Sequence, residues 1–256
     1  MHEALLAPAE EPGLWTPQGE GTRLVAGGGF TLVVRHERAT VEGIRLGAGA
    51  VPAAVIRARS LARESGMGDL VWWVGELSEP PGLAGALAAE GLVPFEEEPL
   101  LVTLTTERAP ERVGGVEVRR VEDLAGFRRA REVDWEAWDI PEASRERRRL
   151  SAEADWERIR SGGSIDIHLA LVDGRPAGFS RLVHLPAAGV LMGGAVAPWA
   201  RGRGAYRALV RARWDASAAR GVPRLVTSAG AMSRPVLEGL GFRRIGEVRL
   251  LRDPLP

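Results

Sequence analysis

A chain of 256 residues, 45% hydrophobic and 27% charged, is long enough for two modest cores and ordinary in composition for a globular protein. It has no cysteine, and its 34 basic residues are all arginine. That excludes disulfides, a thiolate nucleophile, Cys-ligated zinc, the lysine of a Walker-type phosphate loop and a lysine Schiff base. The net charge is zero, yet residues 1–110 hold 8 arginines against 15 carboxylates while residues 111–256 hold 26 against 19, so the second half suits an anionic ligand.

Four histidines, none at i, i+4 spacing, give no expectation of a metal. No apolar run approaches the roughly 20 residues that cross a bilayer. The acidic start MHEALLAPAEEPG lacks the basic-then-apolar layout of a secretion signal. The expected setting is the cytoplasm, with no membrane partner.

Taken in chain order, RLVA (23–26), GGFTLVVRH (28–36) and ATVEGIRL (39–46) read as strands, and VPAAVIRARSLARESG (51–66) as a helix. DLVWWVGE (69–76), PPGLAGALAAEG (80–91) and LVPFEEEPLLVTL (92–104) read as strand, helix and strand. TTERAPERVGG (105–115), polar with Pro and Gly, reads as a linker between domains at 1–108 and 115–256. A short strand in GGVEVRRV, a helix over 118–132 and a charged helix over 143–161 follow. Three strands come next, IDIHLALVD (165–173), PAGFSRLVHL (176–185) and GVLMGGAVA (189–197), with Asp173-Gly174 as a hairpin signal. A long helix (202–220), a strand (223–230), a short helix (233–240) and a final strand (242–253) close the chain.

The second half repeats the first. IRARSLA (56–62) lies over VRARWDA (210–216), and LAAEGLVPFEEEPLL (87–101) over LEGLGFRRIGEVRLL (237–251), at offsets of 154 and 150 residues. The copies differ where a strand turns into a helix. In the second copy RGRGAY (201–206) presents glycines and two arginines at a helix N-terminus, where unpaired amides and the helix dipole favour an anion. In the first copy the same place reads GAGAVP (47–52), without arginine and with a proline in the first helical turn. The second copy is therefore the expected binder, and the first is expected to be structural.

V-x-P-x-x-R-G-R-G-x-Y-R-A-L, from Val196 to Leu209, resembles the pyrophosphate-binding motif of the GNAT superfamily of acyl-CoA N-acyltransferases. SRPVLEGLGFRRIGEV resembles the closing helix and Leu-Gly-Phe strand of that family. The resemblance covers roughly 115–256, with the first half as a degenerate tandem copy. It implies an α/β (α+β) chain of two GNAT-like domains, each a mixed, mostly antiparallel sheet flanked by helices. The implied reaction is transfer of an acetyl group from the cosubstrate acetyl-CoA to a primary amine by direct attack, without a metal. The acceptor would be a small-molecule amine, a peptide N-terminus or a lysine.

Carried over residue by residue, the resemblance places pantetheine on the backbone of Ala195, Val196 and Ala197. The amide of Val196 or Ala197 would polarise the thioester carbonyl. The amides of Gly202, Gly204, Ala205 and Tyr206, with the charges of Arg201 and Arg203, would hold the pyrophosphate. Gly204→Asp would then abolish binding while keeping the fold. Two family positions are unfilled, because the proton-donating tyrosine falls at Leu237 and an asparagine at Gly230. Tyr206 is the single tyrosine of the chain.

Candidate bases are His168, on an alternating strand, and Glu136 in DWEAWD (134–139). In that stretch Trp135 and Trp138 could receive a cationic amine or could form a helix's inner face. The gaps at Leu237 and Gly230 motivate a second reading, an acyl-CoA-binding protein with little catalysis. Nucleic-acid binding is not expected, since the helix with Arg207, Arg211 and Arg213 shows an alanine packing face and few aromatics. The expected assembly is a monomer or a homodimer.

Overall fold

The computed structural model describes residues 2–15, 17, 22–35 and 38–255. His36, the last residue of a predicted strand, lies outside the described residues. In chain order the elements are α1 (His2–Glu10), α2 (Pro12–Trp15), β1 (Arg23–Ala26), β2 (Thr31–Arg35), β3 (Arg38–Glu42), α3 (Val51–Glu64), β4 (Leu70–Val74), α4 (Leu83–Ala89), β5 (Val93–Pro94) and β6 (Leu100–Thr106). Then come β7 (Glu117–Arg120), α5 (Leu124–Ala137), α6 (Glu142–Leu150), α7 (Ala152–Gly162), β8 (Ile165–Val172), β9 (Arg175–His184) and β10 (Gly189–Val196). A 3-10 turn (Pro198–Ala200), α8 (Ala205–Ala219), β11 (Leu225–Ala229), α9 (Arg234–Gly239) and β12 (Arg243–Asp253) complete the chain.

Two compact units result. Unit 1 comprises Met1–Leu104, Ser228–Pro235 and Arg244–Pro256, and unit 2 comprises Thr105–Thr227 and Val236–Arg243. The sequence domains expected at 1–108 and 115–256 are contiguous, whereas these units interleave. The strand that ends the second sequence copy, β12, pairs with β4 of unit 1 from Arg249↔Val74 to Asp253↔Leu70. Apolar burial accounts for this: Val248 and Leu250 of β12 pack with Val71 and Phe95 in a shared cluster.

Within unit 1 the strand order is β1-β2-β3-β4-β12-β6, with β5 beside β12; within unit 2 it is β7-β8-β9-β10-β11. Each unit has a parallel pair, β3 with β4 and β10 with β11, among mostly antiparallel neighbours. In unit 1 the apolar stripe of α3, including Val55, Ala58 and Leu61, covers Leu32, Val41 and Trp72. Unit 2 is layered on both faces. Ile167 and Leu169 of β8 pack with Phe127, Ala130 and Val133 of α5. Ala170 and Val172 point the other way, onto Ala205 and Leu209 of α8.

Several predicted boundaries move for local reasons. The helix expected over 118–132 is instead β7 followed by α5, which starts where the Asp123 carboxylate accepts the Gly126 N–H at 2.6 Å. The helix expected over 143–161 breaks at Ser151, whose hydroxyl donates to the Arg148 carbonyl. The expected strand over 92–104 is two strands, β5 and β6, with residues 95–99 between them.

The sequence reading also missed α1 and α2, where residues 5–13 are buried. Buried carboxylates hold this segment. Glu10 Oε2 accepts the Leu77 N–H at 3.0 Å, Glu42 Oε2 accepts the Gly13 N–H at 2.6 Å, and Glu11 pairs with Arg45 at 2.8 Å. Burial pushes both the Glu10 and Glu42 carboxyls above the ordinary 4.5. A carboxyl raised on folding binds more protons in the folded state, so its contribution to stability is full at low pH and is lost as pH rises through the folded pKa. Glu10→Gln is therefore expected to unfold at a higher temperature than the parent at mildly alkaline pH. The difference should close as pH falls to 4.5, which thermal unfolding across that range measures.

Candidate functional site

Strand β10 begins as an ordinary parallel partner of β11, through Gly189↔Leu225 and Val190↔Val226. The Thr227 hydroxyl then donates to the Leu191 carbonyl at 3.1 Å. Beyond it, among the described residues, no ladder pair joins β10 to β11. On its other side β10 stays paired with β9, but the register shifts between Leu191 and Gly194, with Gly193 at φ +70°. This is a bulge, one extra residue on β10. The Arg213 Nη1 of α8 donates to the Gly193 carbonyl at 3.2 Å and holds the bulge from below.

Past the bulge, the Ala197 N–H donates to the Ala177 carbonyl of the β9 side at 2.9 Å. Antiparallel alternation then directs Ala195 and Ala197 toward β9 and turns the N–H groups of Gly194 and Val196 outward, to the open edge. Of the two amides expected to face a carbonyl, that of Ala197 is thus consumed within the sheet. Gly194, which the sequence reading did not single out, joins Val196 on the free edge. The Gly193-Gly194 pair inside a strand was the available signal.

The turn after β10 is built as an anion cradle. Ala200–Arg203 form a type II turn, with Arg201 at φ −61°, ψ 145°, Gly202 at φ +77° and the Arg203 N–H donating to Ala200 at 3.3 Å. Gly204, at φ +84°, caps α8, whose first bond is Ala208 N–H to Gly204 at 3.0 Å. Among the described residues no backbone acceptor takes the amides of Gly202, Gly204, Ala205 or Tyr206. The two arginines have protein partners: Arg201 donates to the Ala137 carbonyl at 3.2 Å, and Arg203 pairs with Asp173 at 2.6 Å. An exposed pair of that kind is worth about 0–1 kcal/mol, little enough to be exchanged for a phosphate.

Gly204 has a second role. A Cβ placed there would stand 2.6 Å from the Val113 side chain, on a left-handed backbone. Gly204→Asp would therefore disturb packing as well as charge, and does not isolate the anion. Gly202 shares the left-handed backbone but faces open space, which makes it the cleaner probe.

The first copy repeats this scaffold and fills it with its own chain. Its ladder, Ala39↔Leu70 to Val41↔Trp72, ends before Gly43, at φ +64°, as the second ends before Gly193. At the 150-residue offset, Ile44 and Leu46 correspond to Gly194 and Val196. Here their edge is occupied: the Leu46 N–H donates to the Glu79 carbonyl at 3.2 Å, and the Glu79 N–H to the Ile44 carbonyl at 3.0 Å. Between the parted strands lie Glu10 and Leu14, packed against Gly75 and Gly43.

The remaining candidates are dispersed. Trp135 is buried under Arg131 and Arg149, at 5.2 and 5.6 Å, so it is a packing residue, whereas Trp138, just past the end of α5, is 55% exposed. Glu136 is exposed and lines a shallow hollow with Trp199 and Arg175. Leu237 is buried and carries no proton to give. Gly230 has the Glu98 carboxylate, which accepts the Ala231 N–H, where a side chain would stand. Among the described residues no group of three or more His, Cys, Asp or Glu is placed to hold a metal, and no helix is long and apolar enough to cross a membrane.

His168 is buried between the sheet and α8. Burial, with the Arg213 charge adding to it, lowers its pKa from 6.5 to about 4, so the ring is neutral near pH 7 and a poor base. An imidazole depressed on folding contributes stability that is full above 6.5 and is lost as pH falls toward 4. His168→Gln is expected to flatten that acid limb of the unfolding-temperature profile, and calorimetric melts across the range check it.

The acetyltransferase (GNAT) family model matches residues 127–242. No curated protein sequence matches the chain. Among solved structures it is similar to a tandem GNAT protein from the clavulanic acid biosynthesis pathway, with TM-score 0.67 and 19% identity over 98% of this chain and 92% of that one. It is also similar to a GCN5-related N-acetyltransferase from Kribbella flavida, with TM-score 0.65 and 18% identity over 91% and 90% of the two chains. A third, from Sphaerobacter thermophilus, has TM-score 0.64 and 17% identity over 98% and 90%. With the repeated ladder and left-handed glycine, the chain has the tandem GNAT fold, and its residues 127–242 match the acetyltransferase (GNAT) family model.

Proposed function

We propose that unit 2 binds acetyl-CoA along the free edge of β10 and transfers the acetyl group to a primary amine. The observation that carries this reading is the outward edge of Gly194 and Val196 leading directly into the cradle of Gly202, Gly204, Ala205 and Tyr206. Pantetheine amides pair with that edge as an added strand would, and the pyrophosphate takes the cradle amides. The Gly194 amide faces the thioester carbonyl and stabilises the oxygen as negative charge grows on it. The amine nitrogen attacks the carbonyl carbon, the C–S bond breaks, and the amine proton leaves to water or to Glu136. No covalent enzyme intermediate forms.

Leu237 and Gly230 support the second reading, an acyl-CoA-binding protein with little catalysis, because neither position supplies the usual proton donor or its neighbour. Release of CoA thiol in the presence of a panel of primary amines separates the two. Turnover supports transfer, and binding without turnover supports the second reading.

Because Glu79 and the N-terminal segment occupy the first copy's edge, the chain should take one acetyl-CoA. Calorimetric titration is expected to give one site. Gly202→Asp, which sets a carboxylate in the cradle at a backbone cost of about 1 kcal/mol, is expected to weaken binding by at least about tenfold. A second site, or unchanged affinity in Gly202→Asp, would contradict the assignment.

A further inference from the structure

Arg213 is 1% exposed, and no carboxylate among the described residues pairs with it. Its Nε donates to the Leu209 carbonyl and its Nη1 to the Gly193 carbonyl, both at 3.2 Å, and its guanidinium lies 5.9 Å from the centroid of the Tyr206 ring. Nη2 is buried with no acceptor. Arginine does not shed its proton in proteins, so this is a buried cation without a counter-charge, an arrangement that costs several kcal/mol unless something compensates it.

The duplication supplies a control. At the 154-residue offset, Arg213 corresponds to Arg59 of the first copy. Arg59 is compensated: its Nε donates to both oxygens of the buried Asp253, at 2.9 and 3.0 Å, and its Nη2 to the Glu90 carbonyl. The copy whose edge is filled by its own chain thus neutralises the arginine, and the copy with the free edge does not.

The position of the uncompensated charge is informative. Both terminal nitrogens of Arg213 lie 3.4 Å from the point where a Cβ on Gly194 would stand. The other titratable groups facing it are Tyr206 on α8 and His168 on β8. Asp166, on the same face of β8 as His168, is already committed to His184 at 2.7 Å and Arg120 at 2.9 Å.

We propose that Arg213 is kept uncompensated to meet the negative charge of the departing CoA thiolate, in place of the proton donor that Leu237 cannot be. This rests on the acetyl-CoA site described above. In the transfer step the C–N bond forms and the C–S bond breaks, with the electron pair leaving on sulfur. The guanidinium holds that charge without giving up a proton, and the thiolate is protonated from water after release. The same side chain fixes the bulge through Gly193, so charge and geometry are set by one residue.

The test titrates the thiol of bound CoA by thiolate ultraviolet absorbance, in the full-length parent, Arg213→Lys and Arg213→Met. An opposite charge within about 4–6 Å typically raises an acid dissociation constant about ten- to a thousandfold. The parent is expected to ionise the bound thiol that much more readily than free CoA does. Arg213→Met should abolish the gain and Arg213→Lys should restore part of it. A bound thiol in the parent that titrates like free CoA overturns the proposal even if Arg213→Met does not fold. So does an unchanged gain in a folded Arg213→Met. Failure of the parent to bind CoA at all instead removes the acetyl-CoA site on which the proposal rests.

Discussion

Backbone N–H groups that lose their partner strand must be satisfied some other way, and in this chain that requirement governs both copies of the fold. β3 and β10 each run beside a parallel neighbour for two or three residue pairs and then part from it. Each parting is followed by a left-handed glycine, Gly43 or Gly193, which turns the following residues to a free edge. In unit 1 the edge is closed by Glu79 and flanked by the segment from α1 to α2. In unit 2 it stays open and runs into a turn whose amides are unclaimed. On the proposed reading, a cosubstrate completes in the second copy the strand that the chain itself completes in the first.

Charge is handled by the same division. The first copy pairs its buried carboxylates with arginines that reach the surface, Glu11 with Arg45 and Asp253 with Arg59. The second buries Arg213 against two carbonyls and the Tyr206 ring, with no carboxylate among the described residues. A fully buried guanidinium with donors left over is costly unless its charge is met from somewhere. The lowered pKa of His168 reflects that buried, positive surrounding. The residue that alternation in the strand suggested as a base is thereby kept neutral and packed.

Much of the architecture was legible because it is local. Alternation along IDIHLALVD, the Asp173-Gly174 turn and the alanine face of 205–219 marked β8, β9 and α8 close to where they lie. The repeat exposed the two copies, and the contrast of RGRGAY with GAGAVP identified the cradle. The misses have physical causes. α1 and α2 are short, and they are buried by contacts with Gly75, Glu42 and Leu77 that are distant in sequence. An otherwise helical run breaks at Ser151, whose hydroxyl bonds the Arg148 carbonyl and the Asp155 carboxylate.

The sequence by itself determined which half carries the binding turn, because glycine backbone freedom and arginine charge are properties of the residues wherever they fold. It also determined that cysteine and lysine chemistry play no part, through simple absence. Only the tertiary structure decided that Gly194 rather than Ala197 offers its amide, since that follows from register across a bulge. It alone placed Glu79 on the first copy's edge, and it alone gave Arg59 a carboxylate while leaving Arg213 without one. Identical residues at matched positions in two copies differ in role because burial and partner strands, supplied from far along the chain, set what a hydrogen bond or a charge has left to do.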